Sequence, residues 1–120
     1  MQSEENSSSK LLTSNPTVDP ILNEIVHRIV AAVHPDALYL FGSRARGDAT
    51  EESDYDILLV VPNQPEQLRP IQHRAYLSLS GLGIAVDVVV MNRESFNRRR
   101  RAFSSLPATV EQEGRLLYAA

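Results

Sequence analysis

The chain has 120 residues, of which 42% are hydrophobic and 22% are charged, and these values fit one globular domain with a single core. It contains no cysteine, which excludes disulfide bonds and cysteine-ligated zinc. A net charge of -3 argues against strong general binding to nucleic-acid backbones, which depends on many Lys and Arg side chains. The polar start and the lack of an apolar run of roughly 18 residues predict a cytoplasmic protein without a membrane segment.

The sequence predicts a disordered tail followed by one domain. Residues 1–15 are Ser-rich and lack an apolar period, whereas residues 16–120 carry helical and strand patterns. The first predicted elements are a helix from Pro20 to about His34, strands over 37–41 and 54–61, and a helix opened by Pro65. They are followed by a strand over 84–91 and a helix over 93–104. Pro107 is predicted to interrupt the helical segment, which is followed by a helical piece over 108–113 and a strand over 115–118. This order predicts an α/β domain, and the short link between the first two strands favours their antiparallel pairing.

One strand carries an unusual polar residue. The run over 84–91 is nearly continuous in β-branched residues, which predicts a buried strand. Asp87 interrupts this run, and an ionised carboxylate among valines is costly without a cation or a hydrogen-bonding partner. Taken alone, Asp87 is also consistent with a structural role, such as pairing with an arginine. The aromatic residues Tyr39, Phe41 and Tyr76 are predicted to lie in the core.

Two more carboxylates occupy the start of another predicted strand. Asp54 and Asp56 are two positions apart, so both side chains point to the same face. If the strand with Asp87 lies alongside, three carboxylates face one space and suit Mg²⁺ or Mn²⁺, and two ions about 3.5–4 Å apart suit displacement at phosphorus. Gly42 and Ser43 follow a strand end, where backbone amides and a hydroxyl can bind phosphate. Each feature has an ordinary structural interpretation, and only their combination predicts phosphoryl or nucleotidyl transfer.

This combination resembles the signature of the DNA polymerase beta-like nucleotidyltransferase superfamily, in particular its minimal nucleotidyltransferases. The resemblance is carried by Gly-Ser-Arg-Ala-Arg-Gly at residues 42–47 and Ser-Asp-Tyr-Asp-Ile at residues 53–57, and it extends over about residues 39–89. It implies the α/β nucleotidyltransferase fold, in which helices flank a small mixed sheet.

The resemblance also implies roles for the motif residues. The implied catalytic and metal-binding residues are Asp54, Asp56 and Asp87, and the implied nucleotide-binding residues are Gly42, Ser43, Arg44 and Arg46. The implied cofactor is Mg²⁺, as two ions with Mn²⁺ as the alternative, and ATP is the implied substrate. In the family the third carboxylate, here Asp87, also assists deprotonation of the acceptor hydroxyl, whose oxygen attacks the α-phosphate as pyrophosphate leaves.

The acceptor and the partner follow from the resemblance alone. Minimal nucleotidyltransferases are commonly encoded with a small helical HEPN protein, and in toxin–antitoxin pairs the nucleotidyltransferase is the antitoxin. This implies transfer of AMP from ATP to a hydroxyl of the partner toxin, with tyrosine as the expected acceptor. The alternatives are a non-catalytic antitoxin that neutralises its partner by contact, and an enzyme that modifies a small molecule. The sequence leaves the oligomeric state open, and a homo-oligomer is compatible with it.

Four consecutive arginines at residues 98–101, called the arginine run below, are not explained by the resemblance. They spread around a predicted helix at about 100° per residue and so do not form a one-sided stripe. The run is therefore predicted to be a solvated helix, or else a contact for an acidic partner, RNA or a nucleotide.

Overall fold

The computed structural model describes residues 19–63 and 67–120. Its elements in chain order are α1 (Pro20–Val33), β1 (Ala37–Phe41), α2 (Ser43–Arg46), β2 (Tyr55–Val61), α3 (Leu68–Ser78), β3 (Val86–Asn92), α4 (Arg93–Arg99), α5 (Leu106–Glu113) and β4 (Arg115–Ala119). In the described part of the chain, no helix is long and apolar enough to cross a membrane. The predicted tail and the helix start at Pro65 lie outside the described residues.

The first helix begins and ends at the residues that the sequence indicates. The Asp19 carboxylate accepts a hydrogen bond of 3.0 Å from the backbone N–H of Leu22, and Pro20 occupies the first turn, where its missing N–H costs nothing. The helix ends at His34, which adopts a left-handed conformation (φ 55°) and donates its N–H to the carbonyl of Val30. The two caps therefore set the bounds of α1.

A single mixed sheet of four strands, in the order β3-β2-β1-β4, forms the centre of the described structure. Strand β1 pairs antiparallel with β2 and with β4, whereas β2 and β3 run parallel. The predicted antiparallel pairing of the first two strands and the predicted small mixed sheet flanked by helices are therefore confirmed.

The two faces of the sheet bury different clusters. Helices α1 and α3 cover the face with the larger cluster, which includes Leu22, Ile25, Ile29, Leu38, Ile57, Leu59 and Ala75. Helices α4 and α5 cover the other face, where the cluster contains Ala37, Leu58, Val60, Met91, Phe96 and Val110. Strand β2 contributes to both faces and is the most deeply buried strand of the sheet.

The strand predicted over residues 84–91 is present, but the prediction that it is buried is wrong. Strand β3 begins at Val86 and forms one edge of the sheet, and only Val88 and Met91 along it are buried. Asp87 is exposed, so the expected cost of burying its charge does not arise. The β-branched run reflects strand propensity, and such a run does not distinguish an edge strand from a central one.

The structure also corrects the prediction for the C-terminal helices. Helix α4 ends at Arg99, short of the predicted residue 104, and a new helix begins after Ser105, whose hydroxyl accepts a hydrogen bond from the N–H of Ala108. Pro107 lies in the first turn of α5, so it helps to begin a helix and does not interrupt one. The stacking of Phe96 on Tyr39, with ring centroids 5.5 Å apart, holds α4 against the sheet.

Candidate active site

The predicted carboxylates meet at one end of the sheet. Asp56 of β2 lies opposite Asp87 of the parallel strand β3, and on its other side it lies opposite Phe41, the last residue of β1. Because residues in register on neighbouring strands share a face, the carboxylates of Asp56 and Asp87 project from the same side of the sheet. Asp54 precedes β2 by one residue. The condition for a shared site, that the strand with Asp87 lies beside β2, is met.

Tyr55 separates the two acidic residues and fixes the direction of both. Its side chain is only 3% exposed and points into the larger cluster, so the neighbouring side chains of Asp54 and Asp56 face the other way. The Tyr55 hydroxyl donates to the Asp19 carboxylate, with oxygen distances of 3.2 and 3.0 Å. This hydrogen bond joins the start of β2 to the start of α1.

The charge state of Asp56 reflects its surroundings. Partial burial raises the pKa of the Asp56 carboxyl above its ordinary value, the nearby Asp87 and Asp54 carboxylates raise it further, and Arg46 opposes the shift. Ionisation of Asp56 is therefore less favourable in the protein alone than it is for an aspartate in water. A cation bound at this end of the sheet would remove that cost.

Gly42 brings the turn after β1 directly against this carboxylate. It adopts a positive φ of 77°, and a Cβ atom at this position would overlap the carboxylate of Asp56. The short helix α2 follows at once, and the first amides of any helix lack intrahelical acceptors. The predicted phosphate-binding residues Gly42 and Ser43 therefore lie next to the predicted metal ligands.

Arg44 is engaged with the protein's own backbone. Its guanidinium donates to the carbonyls of Ser53, Thr50 and Glu51 at 2.8 to 3.3 Å, and its central carbon lies 4.0 Å from the centroid of the Tyr55 ring. These contacts support a structural role in holding the loop before β2. Phosphate binding by Arg44 stays a prediction.

Arg46 has a different environment. Its side chain is half exposed and lies 3.4 Å from the Asp48 carboxylate and 3.9 Å from that of Glu113, distances typical of weak surface ion pairs. Arg46 is also near enough to Asp56 to lower its pKa. Of the two arginines predicted to bind nucleotide, Arg46 is the one that can reorient toward a phosphate at the carboxylates.

The structure adds Tyr76 to the neighbourhood, a residue predicted to lie in the core. That prediction is wrong, since Tyr76 is 39% exposed, and its hydroxyl lies 3.3 Å from Oδ1 of Asp87. The sequence pattern of α3 could have predicted the exposure of Tyr76. The apolar stripe of α3 is complete without Tyr76, since Leu68, Ile71, Ala75 and Leu79 already follow helical spacing.

A metal ion fits the donor chemistry of this end of the sheet. Carboxylate oxygens are the ligands that Mg²⁺ prefers, and repulsion among Asp54, Asp56 and Asp87 favours a cation. In residues 19–63 and 67–120, however, no three His, Cys, Asp or Glu side chains are close enough together to form a metal site by themselves. Mg²⁺ is commonly held by one or two carboxylates together with substrate phosphates. The arrangement therefore suits a metal that binds with the nucleotide.

A groove opens beside Asp87 at the free edge of β3. Its volume is about 290 Å³, and it is lined by Leu68, Arg69 and Gln72 of α3 and by residues 87–90 of β3. The groove lies on the flank of Asp56 opposite to Gly42, because β2 separates β3 from β1 in the sheet. The carboxylates thus have open space on the β3 side and the glycine turn on the β1 side.

The arginine run lies apart from these residues, at the end of α4. Arg98 is 3.9 Å from Glu94 and Arg100 is 3.2 Å from Glu111, so these two arginines form ion pairs within the described residues. Phe103, just beyond the run, is 93% exposed. This surface combines positive charge with an exposed aromatic ring.

The mixed sheet, its flanking helices and the glycine turn beside the acidic strand starts define the nucleotidyltransferase fold. Residues 21–115 match the family described as nucleotidyltransferase domain. The chain belongs to this family and is a nucleotidyltransferase, which confirms the resemblance noted in the sequence.

Known proteins similar to the chain agree with this assignment. "Putative protein adenylyltransferase MJ0604" of Methanocaldococcus jannaschii is 37% identical over 81 residues, which are 68% of this chain and 76% of that protein. The crystal structure of "a putative nucleotidyltransferase from Sulfolobus solfataricus" is 28% identical, with a TM-score of 0.53 over 66% of this chain and 70% of that one. A variant of the toxin–antitoxin complex MntA-HpeT is 25% identical, with a TM-score of 0.56 over 82% of this chain and 72% of that one.

Proposed function

We propose that the protein transfers AMP from ATP to a hydroxyl group of a partner protein in a metal-dependent reaction. The observation that carries this proposal is the contact between Gly42 and the Asp56 carboxylate, with Asp87 in register beside it. A phosphate bound at the glycine turn would lie next to the carboxylates. Nucleotidyl transfer requires this combination, because a bound triphosphate must be neutralised where its α-phosphate reacts.

The glycine turn binds the triphosphate in this proposal. The lack of a side chain at Gly42 lets phosphate approach the backbone, and the Ser43 amide and hydroxyl can donate to phosphate oxygens. Arg46 adds a positive charge close by and can exchange its weak contacts with Asp48 and Glu113 for a phosphate. Arg44 contributes by holding the loop that leads into β2.

The three carboxylates have two roles in this proposal, metal binding and proton acceptance. Asp54 and Asp56 would hold divalent metal, Mg²⁺ or Mn²⁺ as two ions, which supplies charge neutralisation at the α-phosphate and the leaving group. Asp87, at the open β3 side, completes the set and accepts the proton of the acceptor hydroxyl. The acceptor oxygen then forms a bond to the α-phosphorus, the bond from that phosphorus to the bridging oxygen breaks, and pyrophosphate leaves.

The acceptor is proposed to be a tyrosine of a small helical HEPN toxin, which makes this protein its antitoxin. Two similarities support the choice. A relative that is 37% identical carries the name of a protein adenylyltransferase, and a structural neighbour that is 25% identical belongs to a toxin–antitoxin complex. The groove beside Asp87 gives such a side chain room to approach.

A second candidate function is neutralisation of the partner by contact, without catalysis. The exposed ring of Phe103 next to the arginine run favours it, because aromatic and arginine side chains are enriched at protein interfaces. In this case the carboxylates would not be needed to neutralise the toxin.

Label transfer from ATP tests the proposal directly. The protein is incubated with ATP labelled at the α-phosphate, Mg²⁺ and a candidate partner, a small helical protein of the HEPN type. The modified residue is identified by mass spectrometry. The variant Asp54→Asn with Asp56→Asn removes two carboxylates, and Glu51→Gln with Glu52→Gln is its control, since both glutamates are exposed and lie in the preceding loop.

The expected result is label on a partner tyrosine with the wild type and with the control, and none with the aspartate variant or with EDTA. Label on another residue would correct only the acceptor. The catalytic proposal would be overturned if no protein were labelled and the aspartate variant neutralised the toxin as well as the wild type does. That result would favour the contact function.

A further inference from the structure

We infer that Tyr76 is a positioning residue that limits the orientations open to the Asp87 carboxylate, one of the proposed metal ligands. The inference rests on the proposed function, since it assigns a task to a side chain that contacts one of the proposed metal ligands. Tyr76 would touch neither substrate nor metal and would act through Asp87.

The Tyr76 hydroxyl contacts both the backbone and the carboxylate of β3. It accepts a hydrogen bond of 2.8 Å from the N–H of Val88 and lies 3.3 Å from Oδ1 of Asp87. A tyrosine hydroxyl has one proton, and the Val88 N–H occupies one of its lone pairs, which leaves the proton for the carboxylate. One hydroxyl therefore connects the orientation of the Asp87 side chain to the position of its strand.

Asp87 needs such a restraint because of its position in the sheet. It lies on the edge strand, it is exposed, and its neighbour in register is Asp56, which has the same charge. Repulsion and solvation both favour rotation of the Asp87 carboxylate toward water. The hydrogen bond from Tyr76 limits that rotation before a metal or nucleotide is present.

Helix α3 makes a second contact with β3 at Val88, and this contact involves the strand backbone only. The Gln72 amide Nε2 donates to the carbonyl of Val88 at 2.7 Å, four residues before Tyr76 and so on the same face of the helix. Gln72 holds the backbone of β3 only, whereas Tyr76 holds the backbone and the carboxylate. Comparing the two side chains distinguishes support of the strand from orientation of Asp87.

The size of the expected effect follows from other metal sites. Side chains that orient a metal ligand typically change metal affinity by about 10- to 100-fold when they are removed. The bond between Tyr76 and Asp87 is long and partly exposed, so the lower end of this range, about 10-fold, is expected for the loss of the hydroxyl alone.

The test measures Mn²⁺ affinity by electron paramagnetic resonance of free Mn²⁺, in the presence of a non-hydrolysable ATP analogue. The variants are Tyr76→Phe, Asp87→Asn and both together. Gln72→Met is the control for strand support, and Tyr118→Phe is the control for loss of a hydroxyl, since Tyr118 lies on the opposite edge strand β4. Thermal unfolding of each variant shows whether it is folded.

The expected result is a roughly 10-fold weaker Mn²⁺ affinity for Tyr76→Phe, a larger loss for Asp87→Asn, and no further loss in the double variant. Both controls should bind Mn²⁺ like the wild type. Unchanged affinity in Tyr76→Phe alongside a loss in Asp87→Asn would overturn the role of Tyr76 and leave the proposed function standing. A loss that persists in the Asp87→Asn background, or an equal loss in Gln72→Met, would also overturn it. Absence of Mn²⁺ binding by the wild type would refute the proposed function itself.

Discussion

The two ends of strand β2 serve different purposes. From Ile57 to Val61 the strand is almost completely buried and contributes to the clusters on both faces of the sheet, whereas Asp56 is half exposed and Asp54 is exposed. The buried end contributes apolar contacts that stabilise the fold. The acidic end brings like charges together, which raises the pKa of Asp56 and costs stability. Apart from the buried Tyr55 between the two aspartates, the residues that stabilise the protein are thus separate along this segment from those proposed to act chemically.

The largest effect on stability is expected at the buried end. Ile57 is fully buried in the larger cluster, and Ile57→Ala should lower the free energy of unfolding by about 3–4 kcal/mol, from lost burial and the cavity left behind. Chemical denaturation measures the change. A loss below about 1 kcal/mol would show that the buried end is not the main source of stability.

The largest effect on activity is expected at the acidic end. Asp56→Asn should reduce nucleotidyl transfer by more than about 100-fold, because it removes a proposed metal ligand and not merely a residue that orients one. Transfer rates at saturating Mg²⁺ and ATP measure it, with Asp48→Asn as the control for an exposed acid nearby. Activity within a few-fold of the wild type would remove Asp56 from the proposed site.

A glycine comparison measures the close approach between the turn and the carboxylate. Gly42→Ala should lower stability by about 1–3 kcal/mol, since it adds overlap with Asp56 to the strain of a positive φ. Gly81→Ala is a matched control, because Gly81 has a φ of 83° and no atoms within 4 Å of the added Cβ. Equal losses in the two variants would mean that the approach to Asp56 is not tight.

The smallest effect is a gain in stability from neutralising the acidic end. The pKa of Asp56 is higher in the folded protein than in the unfolded chain, so the folded state binds more protons between the two values and stability falls as pH rises through this window. Above this pH window, ionised Asp56 lowers the free energy of unfolding by its full amount. At pH 7 with EDTA, Asp56→Asn should therefore be up to about 1 kcal/mol more stable than the wild type.

The difference should shrink as the pH is lowered toward the ordinary aspartate value, because protonated Asp56 resembles asparagine. Thermal unfolding of both proteins across this pH range measures it. A variant that is less stable than the wild type at pH 7 would contradict the view that the acidic end costs stability.

Much of the fold was predictable from local patterns. The strand over residues 37–41 was predicted with its observed bounds, and the cap at Asp19 with Pro20 marked the start of α1 correctly. Both depend on neighbouring residues alone. The family was predictable for the same reason, because its motif residues lie close together in the sequence.

Two of the errors, the burial of β3 and the position of Tyr76, concern contacts between distant parts of the chain. The edge position of β3 depends on which strands pair, and its β-branched run does not reveal the pairing. Tyr76 reaches Asp87 only because α3 packs beside β3. The roles of the seven predicted site residues stay predictions until a ligand is located.

The most direct test of the account is the anomalous diffraction of Mn²⁺ in crystals grown with Mn²⁺ and a non-hydrolysable ATP analogue. We expect Mn²⁺ between the Asp54 and Asp56 carboxylates and the phosphates, with the triphosphate against Gly42 and Ser43. A nucleotide bound elsewhere, or a nucleotide at the glycine turn without Mn²⁺ at the carboxylates, would contradict it.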